Sequence, residues 1–409
     1  KELPHVNVNE GPQILKMSGG VADVDLFCKA DIENFKFTKP ILNGNIKIKN
    51  ADITYVPRKM RLVNSALTLS FTETDLHLKN SRFQLGKSII NMNCSIKNFL
   101  NLYYSAPEKI LVKLNLSSPQ LYLNEFMPIL GPRSKVTRSK TNGNTVKEFT
   151  EQLGTVMEAS KMNIQLTVKK AIYKNFIAKD LYANIDLIGD GVILQKVSVS
   201  HAGGKLSLTG NIRQMGAQNK FYLKSRISNV NVKEFFYAFD NFGQKSITDK
   251  NLRGYLSSTV DVNGSLNNAG SVLSRSIKGI VAFNLRNAAL LNFEPLEKAG
   301  KFAFANRNFS DIRMQNLDGT FNINGDKIGI SPMQINSSVM NMDIKGIYSL
   351  GAGTEIELDI PLRNPEKDAG LTENEKKQSR MKGIVLHLKA VDGENGKVKI
   401  RWNGGRKAK

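Results

Sequence analysis

Four histidines, two cysteines and one Gly-Lys-Ser triplet are the residues of this 409-residue chain whose types could carry chemistry. His5, His77, His201 and His387 have no partner at metal-ligand or general-base spacing, so each reads as a surface or turn residue. Gly86-Lys87-Ser88 matches the tail of a phosphate-cradling loop, but the leading glycine of that motif would fall where Ser81 stands. Its setting, FQLGKSIINMN, alternates like a hairpin, and the match is incidental. No GxSxG, HExxH or GxGxxG occurs. The carboxylate pairs Asp23/Asp25 and Glu355/Glu357 have the i, i+2 spacing of one strand face, where solvation is their expected role. Cys28 and Cys94 have neither a CxxC nor a paired histidine; a disulfide between them stays open, and buried free thiols are the preferred reading. The expectation is a protein that is not an enzyme and needs no cofactor or metal.

The residues that recur with regular spacing are apolar, and their period is two. Ile90, Met92, Cys94 and Ile96 fall on one face while Asn91, Asn93, Ser95 and Lys97 fall on the other. Ile110, Val112, Leu114 and Leu116 behave alike, as do Leu206 with Leu208, Phe221 with Leu223, and Met340, Met342 and Ile344. Ile356, Leu358 and Ile360 continue the pattern, followed by Ile384, Leu386 and Leu388 and by Val398, Ile400 and Trp402. Strands greasy on one side and wet on the other belong to antiparallel sheets, because parallel sheets covered on both faces read as continuous apolar runs. Gly203-Gly204, Asn263-Gly264, Asp318-Gly319 and Asn324-Gly325 supply turn chemistry between them. The candidate lining of the apolar face is Ile90, Met92, Cys94, Ile96, Val112, Leu114, Leu206, Leu208, Phe221, Leu223, Met340, Met342, Ile344, Ile356 and Leu358.

These strands recur as a larger unit. An Ala-centred strand start, a Gly-containing hairpin and an alternating strand appear three times, with a short helix closing the first two. The first pass reads GNIKIKNADITY from Gly44 and FQLGKSIINMNCSI from Phe83; the second reads IQLTVKKAIYKNF from Ile164 and VSVSHAGGKLSLTGNI from Val197; the third reads GIVAFNLRNAALLNF from Gly279 and MQINSSVMNMDIKGIY from Met333. Ala51, Ala171 and Ala288 mark them at separations of 120 and 117 residues, longer than a propeller blade or a leucine-rich repeat. The organisation read from this is a first β repeat over 1–131, a mobile loop and amphipathic helix over 132–160, a second repeat over 161–245, and a third with the C-terminal strands over 246–409. Val146, Phe149, Leu153 and Met157 give the amphipathic helix its stripe. Shorter helices are predicted at 121–130, 232–239 and 294–304, their phenylalanines packing on a sheet face or plugging an open end. Residues 364–380 read as a second mobile loop.

A chain that is 41% hydrophobic and 23% charged is not disordered by default, and no run reaches the roughly 18 apolar residues that would span a bilayer. Any anchor is expected outside this sequence. The net charge of +22 is spread along strand faces, with denser patches from Arg133 to Lys147 and from Arg401 onward. No nucleic-acid-binding signature accompanies it, so nucleic acid is not an expected partner. A solvated polar face is the first reading of this charge; contact of the molecule's ends with anionic head groups is the sharper one.

Several stretches carry a family resemblance: GGKLSLTGNI from Gly203, NVKEFFYAFDNFGQ from Asn231, NLRGYLSSTVDVNGSL from Asn251, IKGIVAFNLRNAALLNFEPLEKAGKFAF from Ile277 and PMQINSSVMNMDIKGIYSLGAGTEIELDIPL from Pro332. Their order, from about Asn45 to the end, resembles the AsmA-like family of Gram-negative envelope proteins and most closely its Bacteroidetes forms. The resemblance implies a periplasmic body tethered to the inner membrane by an N-terminal helix absent here. It also implies a fold like that of bridge-like lipid transfer proteins, an antiparallel sheet curled into an open groove that holds acyl chains. Phospholipids, the inner or outer membrane surface and other envelope proteins are the implied partners, and lipid transport with outer-membrane homeostasis the implied role. Period two alone leaves open whether the apolar face is a groove or one half of a closed sandwich. The apparent continuity of the repeats and the scarcity of helices favour the groove. A closed scaffold in outer-membrane protein assembly or partner binding is the rival reading, and a glycan-binding β-protein a weaker one, given the single Trp402.

Overall fold

The computed structural model describes residues 15–33, 36–106, 109–126, 160–215, 218–267, 271–304, 307–362, 370–379, 382–394 and 397–403. Twenty strands pair into one sheet. β1 (Leu15–Ser18) and β2 (Val21–Glu33) lie end to end along one edge of the long β3 (Lys36–Tyr55). β4 (Met60–Glu73), β5 (Asp75–Leu85), β6 (Ser88–Ile96) and β7 (Leu111–Tyr122) follow, each antiparallel to the last. β8 (Lys161–Tyr173) joins β7 in parallel. From there every step is antiparallel again, through β9 (Phe176–Ile188), β10 (Gly191–His201), β11 (Gly204–Met215), β12 (Gln218–Asn231), β13 (Leu252–Leu266) and β14 (Lys278–Leu291). β15 (Asp311–Asn324), β16 (Lys327–Asn336), β17 (Asn341–Ser349), β18 (Glu355–Pro361), β19 (Val385–Asp392) and β20 (Val398–Trp402) complete it. The first and last strands do not pair, so the sheet is open. The parallel step is the one departure from the expected pairing, and residues 123–160 supply the long crossover it requires.

The register carries one apolar row across the strands. Val24 stands opposite Ile46, and the partners continue through Leu69, Leu78, Cys94, Leu114, Ile164 and Ile185. The same row passes through Leu194, Gly210, Leu223, Val262, Gly279, Ile323, Ile328 and Tyr348. One residue to the side the parallel row is polar at nearly every step, from Asp25, Asn45, Ser70 and His77 to Asn263, Lys278, Asn324 and Lys327.

Bulges interrupt the ladders along a line near one end of the sheet. Asn50, Asn64, Asn80, Asp180, Asn229 and Asn287 all have φ between 49° and 56°, a left-handed conformation that Asn and Asp tolerate best among residues with a Cβ. Each is followed by a buried residue: Ala51, Ser65, Ser81, Leu181, Val230 and Ala288. This corrects the reading of Ala51, Ala171 and Ala288 as strand starts. Ala51 and Ala288 follow bulged asparagines inside β3 and β14, and Ala171 lies near the end of β8, opposite Ala178.

The sheet curls strongly at its C-terminal third. Six strand spacings separate β14 from β20, roughly 29 Å in a flat sheet. Yet α3 (Glu294–Ala303), which follows β14, reaches β20, with Glu294 Oε2 3.9 Å from Lys397 Nζ. Glycines on the apolar face allow the bend. Gly346 adopts φ +136°, and a Cβ there would run into the backbone of Glu355 on the next strand. Gly264 and Gly319 instead make room for rings, Phe221 lying over the first and Phe283 over the second.

Three more α-helices are described: α1 (Phe99–Ser105), α2 (Val232–Ala238) and α4 (Glu373–Ser379). Sequence anticipated α2, whose first turn Asn231 caps by accepting from the Glu234 N–H at 3.2 Å, and α3. α1 was not anticipated, and α4 occupies a segment read as loop. The described part of 121–130 is the end of β7 and a 3₁₀ turn, Leu123–Phe126. The amphipathic helix at 145–160 and the loop at 131–144 lie outside the described residues apart from Ser160.

Gly319→Val tests the floor beneath Phe283. Its Cβ would fall 2.6 Å from that ring, which sits 4.8 Å from Phe321 centroid to centroid. Overpacking of this kind is expected to cost about 1–3 kcal/mol in urea unfolding. Gly329→Ala, where no atom comes closer than 3.5 Å, should be neutral or slightly stabilising.

Candidate functional site

Among the described residues, those with catalytic chemistry are engaged elsewhere or kept apart; His5 lies outside the described residues. The Lys87 N–H donates to Glu125 Oε1 at 2.8 Å and the Ser88 hydroxyl to Glu125 Oε2 at 2.5 Å, so the Gly-Lys-Ser turn holds a carboxylate of its own chain. His387 pairs across strands with Asp359 at 2.6 Å, and buried His201 donates from Nδ1 to the Ile177 carbonyl at 2.7 Å. Glu355 and Glu357 meet Lys389 and Lys345 on the polar face at 2.6 and 3.2 Å. The lysine ammonium beside Glu355 holds its carboxyl below the ordinary glutamate range. Among the described residues no three His, Cys, Asp or Glu side chains converge. Both cysteines are free; Cys94 is buried as expected, whereas Cys28 on the edge strand β2 is exposed. Burial pushes the Cys94 thiol up to about 12.

The fifteen candidate lining residues share one face, and what covers that face varies along the sheet. Cys94, Ile96 and Val112 pack with Phe99 and Leu102 of α1, and Leu114 lies against the same cluster. Ile90 packs with Leu121, Val168 and Ala171. Half-buried Met92 stands opposite Leu116. Leu206 meets Phe235 and Phe236, the aromatic face that α2 lays on the sheet. Met340, Met342, Ile356 and Leu358 lie in the largest cluster with Leu296 of α3, Phe304 and Phe309, and Ile344 borders it. Leu208, Phe221 and Leu223 remain: they are half-buried, and no helix-capped cluster includes them.

The uncovered stretch is therefore the middle of the sheet, where Leu223 continues into Val262, Gly279 and Ile323, and Phe221 neighbours Gly264. Val262, which its neighbours bury, and the half-buried Val281, Phe283, Phe321 and Ile323 belong to this stretch and escaped the sequence reading. Glycines at positions of apolar parity break the alternation there, and a search that counted glycine as apolar would have found them.

Placing charge on the covered and uncovered parts separates them. Leu358→Asp, 5% exposed beneath α3, should unfold the C-terminal third, a loss of more than about 4 kcal/mol. Leu208→Asp and Leu223→Asp should melt within a few degrees of wild type by circular dichroism. A thiol reagent at pH 8 should titrate Cys28 alone in the native protein, because buried Cys94 is almost wholly protonated there, and both thiols after denaturation.

Comparison with curated proteins and with solved structures returns no match. The AsmA family model, which describes envelope-associated proteins, matches residues 6–344. The match begins upstream of the stretch from Asn45 that carried the resemblance and stops inside β17, leaving the last strands outside it. No helix among the described residues is long and apolar enough to cross a membrane. With most of its length aligned to that one model, this chain belongs to the AsmA family.

Proposed function

We propose that the protein is a non-enzymatic lipid carrier of the bacterial envelope, whose uncovered apolar stretch holds phospholipid acyl chains. The observation that carries this reading is the row from Val24 to Tyr348: sixteen positions, every one apolar or glycine, running across the strands and for the most part neither buried nor capped by a helix. At strand spacing such a row extends about 70 Å, many times the width of an acyl chain. A chain sliding along it stays out of water, which is worth about 0.8 kcal/mol per CH₂. No nucleophile is needed for that task, and a row that is apolar or glycine at each of its sixteen positions predicts little discrimination between head groups there. The periplasm, a membrane tether beyond this chain, and a part in lipid movement between the two membranes complete the proposal. The closed-scaffold reading has its support in the C-terminal third, where α3 fills the face.

Lipid extraction of the purified protein followed by mass spectrometry should recover phospholipids with mixed head groups. Liposome transfer should fall at least fivefold in Leu208→Asp and Leu223→Asp while both remain folded. Protein that carries no lipid and takes none from liposomes, or variants that transfer normally, would remove the proposal.

A further inference from the structure

The two edges of the sheet are opposite in charge and alike in pattern. At one, β2 has no strand on its outer side among the described residues, and Val24 and Phe27 stand 59% and 64% exposed. Edge strands are normally guarded by lysines, prolines or a covering element. This one holds no proline and a single cation, Lys29, and its exposed Asp23 and Asp25 have no cationic partner among the described residues. At the other edge, a cleft of about 830 Å³ lies between β20 and the start of α3. Side chains of both faces of β20 border that cleft, Lys399 and Arg401 as well as Ile400, so it opens on the edge of the strand. Neither cation has a carboxylate partner among the described residues, and Arg401 stands opposite another cation, Lys389.

Parity and hydrogen-bond phase match too. In β2 Val24 is on the apolar face and Asp23 and Asp25 on the polar one; in β20 Ile400 is on the apolar face and Lys399 and Arg401 on the polar one. The Gly393 N–H donates to the Lys397 carbonyl at 2.7 Å and the Asn403 N–H to the His387 carbonyl at 2.9 Å. Odd-numbered residues of β20 therefore bond β19, and the backbone groups of Val398 and Ile400 point outward. In β2 the Asp25 carbonyl is turned toward Gly44 of β3, which leaves the groups of Val24 and Leu26 outward. Every step from β2 to β20 reverses the chain except β7 to β8, an odd number of reversals, so the two edge strands run antiparallel.

We propose that copies of this chain join head to tail, β20 of one pairing antiparallel with β2 of the next, with Lys399 opposite Asp25, Ile400 opposite Val24 and Arg401 opposite Asp23. In this register the outward backbone groups of Ile400 and Val24 bond each other. The two ion pairs fall at the non-hydrogen-bonded positions, where facing side chains lie closest. The second copy keeps the orientation of the first, so the row Gly346, Ile356, Ala390 and Ile400 runs on into Val24 and Ile46 of the next molecule. Like edges repel, because β2 against β2 brings an excess of carboxylate to both sides and β20 against β20 an excess of cations. The contact is therefore heterologous, and it grows into chains or closes into rings according to the curl. It stands independently of lipid binding.

Sedimentation velocity of the full chain should show association that grows with protein concentration and weakens with salt. Lys399→Glu/Arg401→Glu and Asp23→Lys/Asp25→Lys alter exposed residues and should melt as wild type. Each double variant alone should associate about tenfold or more weakly than wild type, and an equimolar mixture of the two should recover the wild-type association. Misfolding would not be repaired by mixing. Cysteine pairs then read the register: on a Cys28→Ser background, Asp25→Cys mixed with Lys399→Cys should oxidise to a disulfide-linked dimer, and neither should link to itself. The proposal is overturned by a wild type that stays monomeric throughout the micromolar range, by double variants that associate as wild type, or by a mixture that recovers nothing. Cross-linking of Asp25→Cys to itself would overturn it as well, since it would place β2 against β2.

Discussion

Register parity is the constraint on which the rest of this molecule depends. Every strand has an apolar row and, one residue aside, a polar one, so a slip of a single residue at any ladder would place Lys278 or Asn263 in line with Leu223 and Val262. Across a sheet this wide such an error would break the row for every strand beyond it. The bulges meet this demand in an indirect way. Where Ile227 and Val230 face Ser258 and Leu256, three residues on one strand oppose two on the other, and apolar residues continue on the same side after the irregularity. Twist is gained at the bulge line without loss of the face.

The same line divides the sheet along its strands. On the bulged side the buried residues are small, among them Ala51, Ser65, Ser81 and Ala288, and α2 packs its Phe235 and Phe236 against Val230 and Ala288 at that end. Away from it the face carries larger, half-buried side chains with fewer covering groups. An apolar expanse left uncovered in water invites association. Here curl, glycine-seated rings and short helices reduce the exposure without abolishing it, which is the compromise that a ligand-holding surface requires and a structural core does not.

Strand content and the facing of side chains were legible in the sequence because period two is a local property: Ile90 to Ile96 or Ile356 to Ile360 can be sorted by counting alone. Pairing direction was not, because the parallel match of β7 with β8 depends on a connection of nearly forty residues rather than on either strand. Of the bulges only those at Ala51 and Ala288 were visible, as a recurring Ala, and the asparagine before each, which carries the left-handed backbone, was overlooked. α1 escaped because seven residues, FLNLYYS, are too short to show a helical period and rich in residues that also suit strands. Of the candidate face, the covered parts were found readily since they are densely apolar. The uncovered middle was seen only at Leu208, Phe221 and Leu223, because the glycines that shape it look like turns.

The solitary parallel step also bears on how the chain assembles. From β2 onward all other pairs of consecutive strands are antiparallel, most joined through tight turns, so hairpins can form anywhere and extend by adding the next strand, as in a repeat array. Joining β8 to β7 instead closes residues 123–160, which costs about 2 kcal/mol more entropy than closing a four-residue turn. Two half-sheets, β1 to β7 and β8 to β20, can thus each pair internally before they meet. Until they do, each presents an unpaired strand at the seam, and a second chain in the same state offers the same edge. Misassembly by exchange of halves between molecules would begin at β7 and β8, and slow synthesis or a chaperone acting on that one seam would guard the whole sheet.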